Sequence, residues 1–156
     1  MRKGRWILVG VVLAVSTMCL ALASASDDPG LVLNAGVSGA NGSGITGTAT
    51  VSLTEDGLRG KLKAENLQSG HAYTVWLFYF EGSAQGGPGR FASTVAEDSD
   101  FTFRGSVGGL RASSGATIKL VIFDHPDLGP TNATRANNVL TPAGGSMAAQ
   151  AVFSVP

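Results

Sequence analysis

The sequence predicts an all-β protein, a single Greek-key, immunoglobulin-like β-sandwich of about seven to eight strands. Three observations support this class. Apolar and hydroxyl-bearing residues alternate over residues 45–54, which is the pattern of a half-buried strand. Residues 72–80 form a charge-free run of β-branched and aromatic residues, typical of a strand buried on both faces. No stretch shows helical periodicity, and turn residues separate the short strand patterns. A closed barrel is the alternative architecture.

The N-terminus has the features of a secretory signal peptide. A basic start over residues 1–5 precedes an uncharged apolar run over 6–23, and Ala23-Ser24-Ala25 matches a small-residue cleavage site. We therefore expect a mature chain that begins at Ser26 and is secreted, periplasmic or displayed at the cell surface. The alternative is an uncleaved membrane anchor, because the apolar run approaches the ~18 residues that can cross a bilayer.

Removal of residues 1–25 changes the charge and the cysteine content. Eight basic residues then remain against eleven acidic ones, which gives a net charge of −3 with the basic residues scattered. A nucleic-acid surface needs a basic patch, so nucleic acid is not expected as a partner. The one cysteine, Cys19, also leaves, which excludes disulfides, thiol catalysis and cysteine-bound metal in the mature chain. No motif indicates a cofactor.

The remainder is expected to form one domain, the β-sandwich over residues 45–156. It follows a flexible N-terminal segment over residues 26–44, in which Leu31 to Asn34 can form a first strand. Asp56-Gly57 supplies the turn of a hairpin after the alternating strand. The return strand alternates apolar with charged residues over 58–65. Such charges protect the outermost strand of a sheet against aggregation, which predicts an edge strand here.

The apolar strand over residues 72–80 is expected to lie at the centre of the fold. It contains Trp76, the one tryptophan after residue 25, and its apolar residues fall on both faces, so we expect the strand to be covered on both faces, or at least at one end, with Trp76 in the core. Tyr73 follows Leu67 and Gly70 at the spacing of the tyrosine corner of immunoglobulin-like sandwiches. In that corner the tyrosine hydroxyl bonds to upstream backbone.

Downstream, residues 81–90 are expected to form a glycine-rich loop. Further strands are expected over residues 91–96, 100–107, 116–123 and 147–155. A weak repeat also links the two halves, because Arg59-Gly60 and Ser69-Gly70 recur 45 residues later as Arg104-Gly105 and Ser114-Gly115. The repeat predicts two similar strand-turn-strand units, and the alternative is that two core hairpins converge on one pattern.

The loop over residues 124–146 is the candidate binding surface. It exceeds the ~12–15 residues above which structureless loops are usually functional or disordered. Its leucine, proline and asparagine content favours an ordered cap over one end of the sandwich. We expect the ligand or partner surface to contain its polar residues Asp124, His125, Asp127, Arg135 and Asn137. An inert ordered crossover is the alternative.

No catalytic or metal-binding residue is assigned from the sequence. Two carboxylates flank His125, so a weak metal-dependent or hydrolytic enzyme using Asp124, His125 and Asp127 is the alternative function. With two histidines and no cysteine after residue 25, however, the usual three or four ligands of a zinc or copper site are not provided. No Gly-x-Ser-x-Gly elbow occurs. His71, at a turn, is expected to be structural.

Two resemblances support an exported β-sandwich. Residues 47–57, with the strand that ends at Leu67, resemble the opening of CHRD-type domains, and residues 110–122 are similar to a later part of them. The positions at which such domains carry histidines hold other residues here, namely Thr74, Val75, Trp76, Leu120, Val121 and Ile122. Residues 73–77 and 142–146 resemble fragments of the extracytoplasmic domain of anti-sigma-K factors. As a whole, the chain is most similar to exported bacterial β-sandwich proteins of unassigned function.

These features predict an exported, non-catalytic β-sandwich that binds an unknown ligand or a cell-envelope component. Two alternatives stay open, the enzyme described above and a structural or adhesive surface subunit. Contact with a membrane is expected only through an uncleaved signal segment.

Overall fold

The computed structural model describes residues 30–126 and 145–156, and all regular structure in these residues is antiparallel β-sheet. The eight strands are β1 (Leu31–Gly39), β2 (Thr46–Thr54), β3 (Gly57–Glu65), β4 (Ala72–Glu81), β5 (Ala84–Val95), β6 (Phe101–Gly108), β7 (Thr117–His125) and β8 (Ser146–Ser154). The predicted all-β class and the number of strands are confirmed. The described residues contain no helix that is long and apolar enough to cross a membrane.

All eight strands belong to one hydrogen-bonded sheet, in the order β5-β4-β7-β8-β1-β2-β3-β6. The sheet curls into a half-barrel, so its two outermost strands approach each other. A Cβ atom built on Gly105 of β6 would lie 2.0 Å from the carbonyl oxygen of Phe91 on β5, and Gly89 of β5 faces Val107 of β6. The structure therefore shows one curled sheet rather than two clearly separate layers.

The hydrophobic core fills the inner side of the curl. Each strand contributes alternate residues to it, as expected from the two-residue period of a β-strand. Full burial of one such apolar side chain contributes roughly 1.5–3 kcal/mol. The largest buried apolar side chains are Val51, Leu58, Leu62, Tyr73, Val75, Leu77, Phe103, Ile118, Leu120, Ile122 and Phe153.

The predicted tyrosine corner is confirmed. The hydroxyl oxygen of Tyr73 accepts a hydrogen bond from the backbone N–H of Gln68 at 2.9 Å, five residues upstream. Tyr73 is 1% exposed, so this bond satisfies polar atoms that burial would otherwise leave unpaired. It also fixes the turn that leads into β4.

The predicted repeat corresponds to two strand pairs. The units β3–β4 and β6–β7 have the same strand-turn-strand construction, and each strand of one unit pairs antiparallel with its counterpart in the other. In the β4–β7 pair, Trp76 lies opposite Val121, which is its equivalent 45 residues later. Equivalent residues of the two units therefore face each other across both strand pairs.

Two local predictions were wrong. Most of the predicted loop over residues 81–90 forms β5, joined to β4 by a tight turn at Gly82, where φ is +58°. A Cβ atom built on Gly86 of this segment would lie 3.1 Å from the Tyr79 ring, so a larger residue would be crowded there. Strand β3 is not an edge strand, because it pairs with β2 on one side and β6 on the other. Its charged side chains project from the outer side of the curl instead. The first strand, expected over residues 31–34, continues to Gly39.

Candidate functional site

Two of the predicted site residues, Asp124 and His125, end β7 beside the start of β4. Asp124 is the partner of Tyr73 in the β4–β7 register, and His125 is the partner of Ala72. As neighbours on a strand, their side chains point to opposite faces of the sheet. Asp124 faces the inner side and His125 the outer side, so the structure does not bring them together in one constellation. Asp127, Arg135 and Asn137 lie outside the described residues.

Asp124 pairs with His71 instead. The Nδ1 atom of His71 lies 3.0 Å from each carboxylate oxygen of Asp124. Both side chains are partly accessible, at 27% for His71 and 21% for Asp124. The His71 ring also stacks on Tyr73, with centroids 6.3 Å apart and planes at 26°. We name His71, Tyr73 and Asp124 the rim cluster, since they lie at the inner rim of the half-barrel.

The rim cluster is polar but lies against the core, and this affects Tyr73. Burial raises the pKa of the Tyr73 phenol, and the nearby Asp124 carboxylate raises it further, whereas the hydrogen bond from Gln68 lowers it. The carboxylate of Asp124 orients the His71 imidazole by binding Nδ1. An imidazole oriented in this way can donate or accept a proton at Nε2, or bind a ligand there.

On the outer face, Thr74 joins His125 to Trp76. Both Thr74 and His125 are buried, at 0% and 1% exposure. The Thr74 Oγ1 atom lies 2.9 Å from Nε2 of His125 and accepts the indole N–H of Trp76 at 3.1 Å. The Thr74 hydroxyl therefore bridges the indole N–H of Trp76 and the imidazole of His125.

The His125 ring is tightly enclosed. A Cβ atom built on Gly145 would lie 2.4 Å from Cε1 and 2.7 Å from Nδ1 of His125, so only a glycine fits beside the ring. The His125 imidazole is therefore shielded from solvent. The ring packs beside Gly145, the residue that precedes β8.

The outer face of β4 and β7 also carries a row of aromatic side chains. Trp76, Phe78 and Phe80 occupy alternate positions of β4, and Phe123 of β7 lies beside Phe78 with centroids 6.4 Å apart. All four are partly exposed. The Trp76 ring is not fully buried, whereas Ala72, Thr74 and His125 at the start of this face are, so the outer face of β4 is covered at that end. We name these four residues the aromatic face.

Neighbouring residues extend the aromatic face. The Lys119 ammonium lies 5.2 Å from the Phe80 ring centroid, within the range of a cation–π contact. On β8, Met147 pairs with Phe123 and Val152 pairs with Lys119, and these two side chains are 37% and 44% exposed. Apolar side chains of β4, β7 and β8 thus share this face, with the Lys119 charge beside Phe80 and Gln150 between Met147 and Val152.

Sequence reasoning missed both His71 as the partner of Asp124 and the exposure of the aromatic face. The sequence did contain a signal for the His71–Asp124 pair. Two strongly apolar strands of similar length are natural antiparallel partners, so the start of one, near His71, meets the end of the other, at Asp124. Among the residues that the structure describes, no three histidine or acidic side chains are grouped closely enough to hold a metal ion. The chain matches no protein-family model, no curated protein and no solved structure.

Proposed function

We propose that this protein is an exported, non-catalytic module of immunoglobulin-like sandwich type that binds a cell-envelope polysaccharide through the aromatic face. The observation that carries the proposal is the row of partly exposed rings on the outer side of β4. Large contiguous apolar surfaces are rare on monomeric proteins unless they serve as interaction sites. Aromatic side chains are also the type most enriched at such sites.

The spacing of the rings favours an extended polymer as the ligand. Residues two positions apart on a strand are separated by roughly 6.6–6.8 Å, and Trp76, Phe78 and Phe80 follow this interval. Polysaccharide chains present a regular succession of C–H faces that can pack on such rings. A negatively charged mature chain with scattered basic residues is poorly suited to nucleic acid, which supports a carbohydrate instead.

Export is part of the proposal and is supported by the signal-peptide features of residues 1–25. A binding role rather than a catalytic one is supported by the separation of Asp124 from His125 and by the enclosure of the His125 ring.

A second candidate function is a weak hydrolytic enzyme, and the rim cluster favours it. An imidazole bound through Nδ1 to a carboxylate is the arrangement of a general base. The pair concerned is His71 with Asp124 at 3.0 Å, and it is partly accessible. The His71–Asp124 pair is thus a different set of residues from Asp124, His125 and Asp127, which the sequence suggested for such an enzyme. A hydrolytic activity that is lost in His71→Ala, with the fold retained, would favour this alternative.

Co-sedimentation with purified, insoluble envelope polysaccharide tests the proposed function. We expect the wild-type protein to sediment with it, and Phe78→Ala and Phe123→Ala to weaken binding by about tenfold or more, as truncation of a central aromatic anchor usually does. Phe101→Ala is the matched control, because Phe101 is a 38% exposed phenylalanine on β6, away from the aromatic face. Thermal unfolding of each variant shows that it is folded.

Two results would overturn the proposal. One is that the wild-type protein does not sediment with envelope polysaccharide. The other is that folded Phe78→Ala and Phe123→Ala bind as tightly as Phe101→Ala.

A further inference from the structure

A cavity of about 460 Å³ opens at the end of the half-barrel opposite the rim cluster. Its lining residues are Leu31, Leu53, Thr54, Glu55, Arg111 and Ala112. They come from the start of β1, the end of β2, the turn after β2 and the loop between β6 and β7. Sites for small molecules usually have volumes of about 300–1,000 Å³, and this cavity falls within that range.

The floor of the cavity is apolar and continuous with the core. Leu31 and Leu53 are direct partners in the β1–β2 register and point to the inner side. Leu53 and Ala112 pack against the core cluster, whereas Leu31 is 39% exposed. An apolar ligand that enters here would cover Leu31 and extend the core outward.

The wall formed by the loop over residues 109–116 is fixed by hydrogen bonds. The Ser113 N–H donates to the Tyr79 hydroxyl at 3.2 Å, and the Ser113 hydroxyl donates to the Glu81 carboxylate at 2.5 Å. Tyr79 donates to the same carboxylate oxygen at 2.5 Å. These bonds lower the pKa of Glu81, so the carboxylate stays ionised and holds the loop at neutral pH. The cavity is therefore preformed, which reduces the entropic cost of binding.

Two opposite charges lie at the mouth of the cavity. Glu55 and Arg111 are both exposed, and among the residues that the structure describes neither forms an ion pair with the other or with a third residue. The Thr54 hydroxyl already donates to the Gly57 carbonyl at 3.2 Å. Charged recognition in the cavity therefore depends on one carboxylate and one guanidinium. A guanidinium suits a carboxylate ligand group, and a carboxylate suits an ammonium group.

We infer that this cavity binds a small zwitterion with an apolar body, in the class of apolar dipeptides. The apolar body lies on Leu31, Leu53 and Ala112, the ligand carboxylate binds Arg111, and the ligand ammonium binds Glu55. This site goes beyond the proposed function, because it lies away from the aromatic face and takes a small molecule rather than a polymer.

Isothermal titration calorimetry with the dipeptide Leu-Leu tests the inference. Two capped forms separate the charges, since N-acetyl-Leu-Leu lacks the ammonium and Leu-Leu amide lacks the carboxylate. We expect saturable binding of Leu-Leu and at least tenfold weaker binding of both capped forms. Arg111→Gln should weaken Leu-Leu about tenfold but leave the amide unchanged, and Glu55→Gln should weaken Leu-Leu about tenfold but leave the acetylated form unchanged.

Both substitutions are at exposed positions and should leave the fold intact. Arg104→Gln is the matched control, because Arg104 is an exposed arginine on β6 that does not line the cavity. Absence of saturable Leu-Leu binding, equal binding of the capped forms, or unchanged binding by both charge variants would overturn the inference. Arg111→Gln should still bind envelope polysaccharide, and Phe78→Ala should still bind Leu-Leu. The two assays therefore test the cavity and the aromatic face independently.

Discussion

Gly60 of β3 and Gly105 of β6 lie directly opposite each other in the sheet, and they are also equivalent positions of the 45-residue repeat. Both are places where backbone comes too close for a side chain. A Cβ atom on Gly60 would lie 2.5 Å from the Thr50 carbonyl oxygen, and one on Gly105 would lie 2.0 Å from that of Phe91. The contact between Gly105 and Phe91 joins β6 to β5, the two outermost strands. Because Gly105 has no side chain, these strands can approach each other and the sheet can curl into a half-barrel.

Substitution of Gly105 should therefore destabilise the fold. We expect Gly105→Ala to lower the free energy of unfolding by about 1–3 kcal/mol, the usual effect of forcing atoms into a packed region. Gly108→Ala is the control on the same strand, since its nearest neighbour would be 3.9 Å away. Urea unfolding followed by Trp76 fluorescence measures both variants. Equal stabilities of the two would show that β5 and β6 are not held closely together.

Removal of the tyrosine-corner hydroxyl should also be measurable. Tyr73→Phe leaves the backbone N–H of Gln68 without its acceptor, which should lower the free energy of unfolding by about 1–2 kcal/mol. Tyr79→Phe is the control, because its hydroxyl binds the exposed Ser113 N–H and the exposed Glu81 carboxylate, and water can replace it at both. A Tyr73→Phe variant as stable as Tyr79→Phe would contradict the assignment of a structural corner.

The raised pKa of Tyr73 predicts a loss of stability in alkali. Burial favours the neutral phenol in the folded state, so the folded pKa lies above the ordinary value of 10.0. This contribution to stability is complete below pH ~10 and is lost as the pH rises through the folded pKa, because only the unfolded chain ionises readily. We expect the free energy of unfolding to fall more steeply above pH ~10 in wild type than in Tyr73→Phe. Parallel pH profiles in urea unfolding would contradict this.

The Thr74 hydroxyl should be essential to the outer polar contacts. Thr74→Val keeps the shape of the side chain but removes the hydroxyl that binds the Trp76 indole N–H and the buried His125 Nε2, which should lower the free energy of unfolding by about 1–3 kcal/mol. Thr74→Ser retains the hydroxyl and should lose less. The emission spectrum of Trp76 reports the change directly. Equal stability of the valine and serine variants would argue against the hydrogen-bonded bridge.

Export predicts a defined N-terminus. Protein recovered from the culture medium or periplasm should begin at Ser26, because Ala23-Ser24-Ala25 matches a signal-peptidase site. Substitution of Ala25 by a bulky residue such as Phe should block cleavage. N-terminal sequencing and mass spectrometry measure both. Recovery of the full-length chain in the membrane fraction alone would favour the anchor alternative.

Local sequence patterns predicted much of the fold. The alternation over residues 45–54 and the turn at Asp56-Gly57 predicted the β2–β3 hairpin, because side-chain direction and turn chemistry depend on neighbouring residues alone. The tyrosine corner was predictable for the same reason, since Tyr73 and Gln68 are five residues apart. The repeat predicted two equivalent units, which the β3–β6 and β4–β7 pairs confirm.

The candidate site was predicted less well, because its contacts join residues far apart in the chain. Asp124 and His71 are 53 residues apart and meet only through the β4–β7 register. Asp124 and His125 are adjacent in the sequence and were expected to act together. Successive side chains of a strand point to opposite faces of the sheet, however, so these two are separated. Arg111 and Glu55 reach one cavity only because the β6–β7 loop folds back over the end of β2.

The sequence by itself determined most of the strands and, in the alternating ones, which residues enter the core, because hydrophobic alternation and turn residues act locally. Only the tertiary structure decided which strands become neighbours. It placed β3 between β2 and β6, drew residues 84–90 into β5, and left the Trp76 side of β4 facing outward. The physical reason is that an apolar run such as Ala72–Phe80 signals burial on either face, while the curl of the whole sheet determines which face encloses the core.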